Sequence, residues 1–252
     1  MKNDLFSLAG KNAIVVGGAG DLGFAIIEGY LEAGASVVCI DKDLKGKDKI
    51  AALNNPNAYF VETDITQEVE IDSSIKKSKK LLSGAIDILV NSAGIQRRAS
   101  SEHFQKKDWD DILSINLTSA FSYCQKVGLE MLDKKYGKII NIASMQSFLG
   151  GITIPAYAAS KGGIAQLTKA LSNDWASRGI TVNGIAPGYM NTQLNTKLIN
   201  DPIRNDEILS RIPKKRWGKP HDLKGCAIFL ASDASNYVTG SIIPVDGGFL
   251  AR

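Results

Sequence analysis

The chain has 252 residues, a formal net charge of +4, and a composition in which 44% of residues are hydrophobic and 22% are charged. This length can bury a full core in one globular domain, and the mild charge, without a long basic tract, does not indicate a nucleic-acid partner. No run of about 18 apolar residues occurs, so the sequence predicts no membrane-spanning segment.

Short apolar runs alternate with amphipathic helical stretches along the whole chain. The predicted strands are residues 13–16, 36–40, 58–61, 86–90, 138–142, 181–185 and 242–245. The predicted helices are residues 22–32, 44–53, 68–82, 108–132, 155–176 and 223–230. Strands that are apolar throughout are buried on both faces of a parallel sheet. We therefore expect an α/β fold with a single Rossmann-type domain over residues 1–252, a doubly wound parallel sheet of about seven strands and helices on both faces.

A glycine-rich turn follows the first predicted strand and opens the first predicted helix. Gly18, Gly20 and Gly23 match the pattern G-x-G-x-x-G, and Gly17 precedes them. Glycines allow a tight turn here and let backbone N–H groups approach a pyrophosphate at the positive end of the helix. A strand before the turn and a helix after it make this match specific for a dinucleotide cofactor.

An acidic residue stands where the second predicted strand ends. Asp41 lies eighteen positions after Gly23, and its carboxylate can accept hydrogen bonds from the ribose hydroxyls of NAD. The same carboxylate would repel the additional phosphate of NADP, so the sequence favours NAD over NADP. Lys42 follows Asp41 directly, and its positive charge could reduce this preference for NAD.

A tyrosine and a lysine four residues apart form the candidate catalytic pair. Pro155 is expected to open a helix, which places Tyr157 and Lys161 one turn apart on the same face. An ammonium group beside a phenol stabilises the phenolate and lowers the pKa of the phenol, so Tyr157 would exchange protons near neutral pH. This spacing alone is common on exposed helix faces, and the other motifs must decide between the two interpretations.

The regular alternation stops between the predicted strand 181–185 and the helix that begins near Leu223. Residues 189–216 are polar and turn-prone, with short helical pieces. An insertion at the carboxyl edge of a parallel sheet is where a substrate lid is expected. A plain surface elaboration is the alternative.

The cysteines and histidines indicate no metal site. Cys39, Cys124 and Cys226 lack metal-ligand spacing, and an odd number of cysteines suits a reducing compartment. His103 and His221 are far from any other candidate ligand or nucleophile, which argues against a zinc enzyme or a histidine-dependent hydrolase. The first residues are too polar for a signal peptide, so we expect a cytoplasmic protein.

Together these motifs resemble the short-chain dehydrogenase/reductase family over essentially the whole chain. The motifs that carry the resemblance occur in family order: the glycine loop, Asn91-Ser92-Ala93-Gly94, Asn116, Ser144, Tyr157 with Lys161, and Pro187-Gly188. Thirteen positions separate Ser144 from Tyr157, which is the family spacing. The resemblance implies reversible hydride transfer between a small-molecule alcohol and a nicotinamide cofactor.

The resemblance also implies four catalytic residues. Tyr157 is similar to the general acid/base of the family, and Lys161 to the residue that lowers the pKa of that tyrosine and holds the nicotinamide ribose. Ser144 is similar to the hydroxyl that polarises the substrate oxygen. Asn116 is similar to the residue that anchors a proton-relay water.

A cofactor site built from several stretches of the chain is implied in the same way. Its residues are Gly17, Gly20, Asp21, Leu22, Gly23, Asp41, Asp64, Ile65, Asn91, Ala93, Gly94, Tyr157, Lys161, Pro187, Gly188, Met190 and Thr192. Among them, Asp64 resembles the position that contacts adenine, and Thr192 resembles the residue that binds the nicotinamide carboxamide.

Two positions of the glycine loop depart from the family pattern Thr-Gly-x-x-x-Gly-x-Gly. Val16 replaces the threonine, and Asp21 replaces the middle glycine. A carboxylate beside a pyrophosphate is electrostatically unfavourable, although Asp21 could cap the helix and point aside. The sequence therefore predicts the identity of the cofactor better than its affinity.

Several segments resemble the branch of the family that acts on sugar acids, converting gluconate or 2-dehydro-3-deoxy-D-gluconate at C5. These segments are residues 93–98, 144–147, 186–190, 216–218 and 246–252. The predicted substrate residues are Arg97, Arg98, Gln146, Ser147 and Tyr189. The two arginines could form bidentate hydrogen bonds with a carboxylate, and the glutamine and serine could donate hydrogen bonds to hydroxyls. A surface ion pair or a subunit contact is the alternative for either arginine.

Other functions are open on sequence grounds. A neutral sugar or polyol dehydrogenase and a 3-oxoacyl thioester reductase use the same chemistry, although Asp41 disfavours the reductase because biosynthetic reductions usually draw on NADP. A nucleotide-binding scaffold without turnover is the non-enzymatic alternative. The resemblance also implies a homotetramer, with helices 108–132 and 155–176 packing across one interface and the C-terminal tail across another. Burial of those helices against their own sheet would explain the same apolar residues.

Overall fold

The computed structural model describes residues 4–252 and contains a sheet of seven parallel strands. The strands are β1 (Asn12–Val16), β2 (Ser36–Asp41), β3 (Ala58–Glu62), β4 (Ile88–Asn91), β5 (Gly137–Ile142), β6 (Ile180–Pro187) and β7 (Ile242–Val245). Their order across the sheet is β3-β2-β1-β4-β5-β6-β7. The predicted α/β fold with a doubly wound parallel sheet is confirmed.

Helices connect the strands and cover both faces of the sheet. They are α1 (Asp21–Glu32), α2 (Lys45–Ala52), α3 (Glu68–Leu81), α4 (Lys106–Leu113), α5 (Ser119–Asp133), α6 (Pro155–Trp175), α7 (Thr196–Ile199), α8 (Pro202–Arg211) and α9 (Lys224–Ala231). Apolar cores lie on opposite sides of the sheet, because successive side chains of a strand point to opposite faces. Val15 of β1 packs into the layer covered by α1 and α9, and Ile14 packs into the layer covered by α3 and α5.

The predicted helix 108–132 is interrupted. α4 ends at Leu113 and α5 begins at Ser119, and the π-helical turn Ser114–Thr118 between them carries Asn116. The amphipathic pattern continues through this turn without a glycine or a proline, so no sequence signal marks it. π-helical turns are rare and often occur at functional sites.

The central position of β1 determines where a ligand can bind. β1 lies between β2 and β4. The chain continues from β1 to β2 and β3 on one side and then crosses to β4 on the other side. This topological switch point is the ligand-binding position of open α/β sheets. Val16, the last residue of β1, is in register with Ile40 of β2 and Asn91 of β4. The glycine loop after β1 and the segment after β4 therefore leave the sheet side by side.

The insertion predicted at residues 189–216 is folded. It contains the 3-10 turn Gln193–Asn195 and the helices α7 and α8. The carboxylate of Asp201 caps the first turn of α8. Ile208 of α8 is buried in a cluster with Met145, which follows β5, so α8 is packed beside the carboxyl edge of the sheet. Its role as a lid stays a prediction.

Within residues 4–252, no helix is both long enough and apolar enough to cross a membrane. The same part of the chain contains no group of three His, Cys, Asp or Glu side chains that could hold a metal ion. Cys39 and Cys124 are buried and Cys226 is half-buried, and all three are free thiols.

Candidate active site

The candidate catalytic pair lies in the first turns of α6. Pro155 is the first residue of α6, as the sequence predicts, because its fixed φ suits that position. Tyr157 and Lys161 share one face, and the Nζ atom of Lys161 lies 5.8 Å from the centroid of the tyrosine ring. The ammonium donates a hydrogen bond of 2.6 Å to the carbonyl oxygen of Ile142, the last residue of β5. The lysine is thus held close to both the sheet and the tyrosine.

Burial sets the direction of both pKa values. It lowers the pKa of Lys161 to about 8 and raises the pKa of Tyr157 above its ordinary value, because each charged form loses hydration. The hydroxyl of Ser144 lowers the pKa of Tyr157 and partly offsets this effect. The net direction for Tyr157 is opposite to the sequence-based expectation, which considered the charge of Lys161 but not the loss of water around the phenol. At neutral pH the tyrosine is a phenol and the lysine is mostly an ammonium.

Two serines join the end of β5 to α6. Ser144 caps the 3-10 turn Met145–Ser147, and its hydroxyl accepts the N–H of Gln146 at 3.2 Å. The hydroxyl of Ser147 accepts the N–H of Ser144 at 3.3 Å and donates to the carbonyl oxygen of Lys161 at 2.7 Å. Ser144 therefore keeps an O–H that can donate to a substrate oxygen, whereas the hydroxyl of Ser147 is used inside the site.

Asn116 holds the segment after β4 to α6. This side chain is 2% exposed. Its Oδ1 accepts the N–H of Ile95 at 2.8 Å, and its Nδ2 donates to the carbonyl oxygen of the same residue at 3.0 Å. Nδ2 also donates to the hydroxyl of Ser160 at 3.1 Å. One side chain thus fixes both backbone groups of Ile95, and the proton-relay role of Asn116 stays a prediction.

A cavity of about 280 Å³ lies beside these catalytic candidates and is lined by Ser144, Tyr157 and Lys161. Its charged lining residues are all cationic: Arg98, Lys161, Arg204 and Arg211. No aspartate or glutamate of residues 4–252 lines it. A cleft lined by charges of one sign attracts a ligand of the opposite sign, so this cavity suits an anionic substrate.

Two of the cavity arginines come from one helix. Arg204 and Arg211 are seven residues apart on α8 and therefore lie on the same face. Arg204 pairs with Glu207 at 2.6 Å, whereas the guanidinium of Arg211 lies 4.6 Å from the ring centroid of Phe249. Arg211 has no carboxylate within salt-bridge distance in the described part of the chain, so its charge is available to a ligand. Neither arginine is among the substrate residues predicted from the sequence. Their seven-residue spacing indicates a shared helix face, but the sequence does not show that this face lines the cavity.

The five predicted substrate residues divide into two groups. Those that line the cavity are Arg98, Gln146 and Tyr189. Arg97 lies outside the lining, and its Nε donates to Asp108 at 3.2 Å near the surface. This ion pair is one of the alternatives that the sequence left open for either arginine. Ser147 does not line the cavity either, because its hydroxyl is bonded within the site.

A second cavity, of about 190 Å³, lies at the ends of β1, β2 and β4. The predicted cofactor residues that line it are Gly17, Gly20, Asp41, Asp64, Ile65, Ala93 and Gly94. Those that line the larger cavity are Leu22, Gly94, Tyr157, Lys161, Pro187, Gly188, Met190 and Thr192. Ser92 and Gly94 line both cavities, so the two are contiguous.

The backbone and one unsatisfied hydroxyl fit a dinucleotide in these cavities. Gly17 has a φ of 76°, and a Cβ atom there would lie 2.4 Å from the backbone nitrogen of Ala93, so only glycine fits. Gly20 has open space, with its nearest neighbouring atom at 3.5 Å from such a Cβ. The buried Oγ1 of Thr63 lines the smaller cavity and has no hydrogen-bond partner within residues 4–252. These features fit the adenosine and pyrophosphate end of a dinucleotide in the smaller cavity, and the contiguous larger cavity leaves room for the other end beside Tyr157 and Lys161.

Gly23 and Asn91 were predicted to bind the cofactor but line neither cavity. Gly23 packs under the glycine loop, where a Cβ atom would lie 2.4 Å from the carbonyl oxygen of Gly17. Asn91 is buried, and its Nδ2 donates to the Oδ1 of Asn141 at 2.8 Å. Both residues support the walls of the site from within the fold.

Asp21 also lines neither cavity. It is the first residue of α1, and its side chain does not cap that helix. Its Oδ2 atom accepts the backbone N–H of Gln193 at 2.8 Å. The carboxylate points aside, as one alternative predicted, but its partner belongs to the insertion 189–216 and not to the start of α1.

Comparison with known proteins identifies a consistent group of relatives. Residues 17–250 match a family model described as enoyl-(acyl carrier protein) reductase. The 2-dehydro-3-deoxy-D-gluconate 5-dehydrogenase of Bacillus subtilis (strain 168) is 43% identical over 252 residues, with 99% of this chain and 98% of that protein covered. The gluconate 5-dehydrogenase of Gluconobacter oxydans (strain 621H) is 39% identical over 251 residues, with 97% and 96% covered.

A solved structure leads to the same group. The crystal structure of a gluconate 5-dehydrogenase from Burkholderia cenocepacia J2315, in complex with NADP and tartrate, matches this chain with a TM-score of 0.94 and 39% sequence identity. The match covers 99% of this chain and 98% of that chain. Because that relative holds NADP, the comparisons do not support the predicted preference for NAD.

Proposed function

Because the chain belongs to the short-chain dehydrogenase/reductase family, we propose that it interconverts a secondary alcohol and a ketone on a sugar acid. Gluconate and 2-dehydro-3-deoxy-D-gluconate, converted at C5, are the proposed substrates. The predicted enzyme class is confirmed: the chain is an NAD(P)-dependent dehydrogenase that acts on CH–OH groups. Its curated relatives named above are sugar acid 5-dehydrogenases.

The charge of the larger cavity is the observation that carries the proposal. A sugar acid differs from the matching polyol by a carboxylate, and Arg98, Arg204 and Arg211 line the cavity that also contains Ser144 and Tyr157. A guanidinium presents a planar set of donors that matches a carboxylate. Arg98 and Arg211 form no salt bridge within residues 4–252, so a neutral polyol would leave both without a counter-charge, and the site favours the acid.

The same cavity offers a polar atom for a hydroxyl group of the substrate. The Oε1 atom of Gln146 is buried and has no hydrogen-bond donor within residues 4–252. A buried acceptor without a donor costs about 1–3 kcal/mol. A substrate hydroxyl that donates to this oxygen would remove that cost, which supports a polyhydroxylated substrate.

The proton chemistry follows from the side chains around Tyr157. When bound, the nicotinamide accepts the hydride in oxidation and supplies it in reduction. In oxidation the phenolate of Tyr157 accepts the proton of the substrate hydroxyl, and in reduction the phenol returns a proton to the carbonyl oxygen. The O–H of Ser144 donates to the same substrate oxygen and holds it in place. Lys161 stabilises the phenolate by its charge while its ammonium stays anchored on the carbonyl of Ile142.

We propose in addition that NAD is preferred over NADP. Support comes from Asp41, whose carboxylate lines the smaller cavity at the end of β2, where the additional phosphate of NADP would meet a like charge. Lys42 lines the same cavity and opposes this effect. The NADP in the Burkholderia structure is a property of that relative.

A reduction screen tests the proposed substrate class. The purified protein is assayed with NAD and with NADP against gluconate, deoxy-keto sugar acids and uronates, each beside a neutral polyol of the same carbon number. We expect kcat/KM for one of the acids to exceed that for its polyol by about 100-fold, because the polyol lacks the carboxylate that would accept charged hydrogen bonds from the arginines. Equal use of acid and polyol would favour a neutral sugar dehydrogenase, turnover of a 3-oxoacyl thioester alone would favour the reductase, and cofactor binding without any turnover would favour a scaffold.

We also propose that the chain forms a homotetramer, as the family resemblance implies. Phe121 and Leu129 of α5 are 43% and 62% exposed, and their spacing of eight residues places them on one face. Burial of this face between chains would remove apolar surface from water. Light scattering after gel filtration should then report the mass of four chains of 27.1 kDa, and lysine at either position should reduce that mass.

A further inference from the structure

Asp21 links the cofactor loop to the insertion that follows β6. Its hydrogen bond to Gln193 spans 172 positions of sequence. It is the one hydrogen bond, within the described residues 4–252, that joins residues 17–32 to residues 189–216. Gln193 is the first residue of its 3-10 turn, so its N–H has no acceptor inside that turn. The carboxylate of Asp21 therefore caps the turn from another part of the fold.

This contact lies beside the nicotinamide end of the site. Leu22 follows Asp21 in α1, and Thr192 precedes Gln193 in the insertion. Leu22 and Thr192 both line the larger cavity. The hydrogen bond thus joins the two walls of this cavity immediately next to the residues that face its interior.

Asp21 lines neither cavity, but its neighbours in sequence, Gly20 and Leu22, each line one of them, so its charge lies close to the expected cofactor. Asp21 is in the first turn of α1, whose N-terminal end is the pyrophosphate-binding position of this fold. Nearby, Asp41 accepts the N–H of Ala19 at 3.0 Å, and Lys49 donates to the carbonyl oxygen of Ala19 at 2.8 Å. Asp21 forms no salt bridge within residues 4–252, and the Lys49 ammonium is bonded to a backbone carbonyl, so the charge of Asp21 opposes a pyrophosphate.

We propose that Asp21 is a positioning residue with two opposed effects. Its hydrogen bond to Gln193 holds the start of the insertion against the cofactor loop, and its charge weakens the binding of the cofactor. One side chain, at a position where the family pattern has glycine, thus orders the substrate side of the site and promotes release of the cofactor.

Two substitutions separate these effects. Asp21→Asn removes the charge and keeps a side-chain oxygen that can accept the N–H of Gln193, whereas Asp21→Ala removes both. Asp48→Asn is the matched control, because Asp48 is an exposed carboxylate of α2 and makes no hydrogen bond to the insertion. Removing the charge of Asp48 changes the net charge of the chain by the same amount.

The measurements use the whole protein and no sugar substrate. Affinity for NADH is measured by fluorescence titration at low and at high salt. We expect Asp21→Asn and Asp21→Ala to bind NADH about tenfold more tightly at low salt, since each removes a like charge near the pyrophosphate. This gain should shrink at high salt, because salt screens the repulsion.

Trypsin cleavage measures how firmly the insertion 189–216 is held in the cofactor-free protein. The rates of cleavage after Lys197, Arg204 and Arg211 are compared between variants. We expect Asp21→Asn to be cleaved at the wild-type rate and Asp21→Ala to be cleaved several-fold faster. Unchanged NADH affinity in Asp21→Asn, equal to that of Asp48→Asn, would overturn the electrostatic effect. Equal cleavage rates in the two Asp21 variants would overturn the positioning effect. Neither result depends on the substrate, so this inference and the proposed function fail separately.

Discussion

The carboxylate of Asp41 accepts the backbone N–H of Ala19 with 3.0 Å between Oδ2 and N, so the end of β2 is tied to the glycine loop. Its Oδ1 atom accepts the N–H of Asp43, also at 3.0 Å. Each oxygen keeps a lone pair, so the carboxylate can still accept ribose hydroxyls. The two hydrogen bonds fix the position of its negative charge at the smaller cavity.

Replacing this carboxylate should change cofactor selectivity. Asp41→Ala is expected to raise KM for NAD by about tenfold, since a hydrogen bond to a charged group is lost. The ratio of kcat/KM for NAD to that for NADP should fall at the same time, because the repulsion of the additional phosphate disappears. Steady-state kinetics with both cofactors measures this, with Asp43→Ala as a control that leaves the Asp41 carboxylate in place. A ratio equal to that of the wild type would contradict the role of Asp41.

Removing the phenol oxygen should abolish proton transfer without affecting cofactor binding. Tyr157→Phe keeps the ring beside Lys161 but has no group that can accept or donate the substrate proton. We expect kcat to fall by about 10³-fold, the range attributed to a positioned acid/base. Fluorescence titration should give a wild-type Kd for NADH. Turnover within about tenfold of the wild type would show that another group carries the proton.

The direction of the reaction should determine its pH dependence. Burial raises the pKa of Tyr157, so at neutral pH only a small fraction is phenolate, and this fraction grows about tenfold per pH unit. Oxidation, which uses the phenolate, should therefore accelerate as pH rises, whereas reduction, which uses the phenol, should be flat through neutral pH. Lys161→Met removes the cation and should shift the rise in the oxidation profile to higher pH. A rise at the same pH in this variant would show that Lys161 does not stabilise the phenolate.

The cavity arginines should distinguish a sugar acid from its polyol. Arg211→Gln is expected to lower kcat/KM for the acid by about 10- to 100-fold, because a charged hydrogen-bond donor is lost from the carboxylate. The matched polyol should be affected much less. Arg97→Gln is the control, since Arg97 pairs with Asp108 outside the cavity. If Arg211→Gln lowered kcat/KM equally for the acid and the polyol, Arg211 would support the fold of α8 and would not bind the carboxylate.

The glycine loop offers a matched pair of substitutions for stability. Gly17→Ala places a side chain at a φ of 76° and 2.4 Å from the backbone nitrogen of Ala93, so we expect the free energy of unfolding to fall by about 1–3 kcal/mol or more. In Gly20→Ala the added Cβ would lie 3.5 Å from its nearest atom, the carbonyl oxygen of Gly17. This substitution should change the free energy of unfolding by less than about 1 kcal/mol. Both variants should bind NADH more weakly. Urea denaturation and NADH titration provide the two measurements, and a Gly17→Ala protein of wild-type stability would contradict this account.

The elements that the sequence predicts well are those whose pattern is local. The apolar runs 13–16 in β1 and 37–40 in β2 predict buried strands, and Pro155 predicts the start of α6 because its φ is fixed. The helix that begins at Pro155 also places Tyr157 and Lys161, four residues apart, on one face. The order of the strands in the sheet then brings the glycine loop and the segment after β4 to one edge.

The features that the sequence does not predict depend on distant contacts. The π-helical turn at Asn116 continues an amphipathic pattern, so its local sequence resembles an ordinary helix. Arg211 lines the cavity because Ile208 of the same helix packs in a cluster with Met145, which follows β5. The partner of Asp21 is 172 positions away. The raised pKa of Tyr157 arises from burial, which no spacing of charged residues can show.

The hydrogen bonds of Ser147 connect the backbone of Ser144 to that of Lys161, so three catalytic candidates are held together within eighteen consecutive residues. The arginines of α8 come from a separate part of the chain, which packs on this unit through apolar side chains. The two cavity arginines of α8 and the proposed catalytic residues Ser144, Tyr157 and Lys161 therefore come from different segments. Replacing residues 196–211 would therefore change the charge that lines the cavity and leave Ser144, Tyr157 and Lys161 in place.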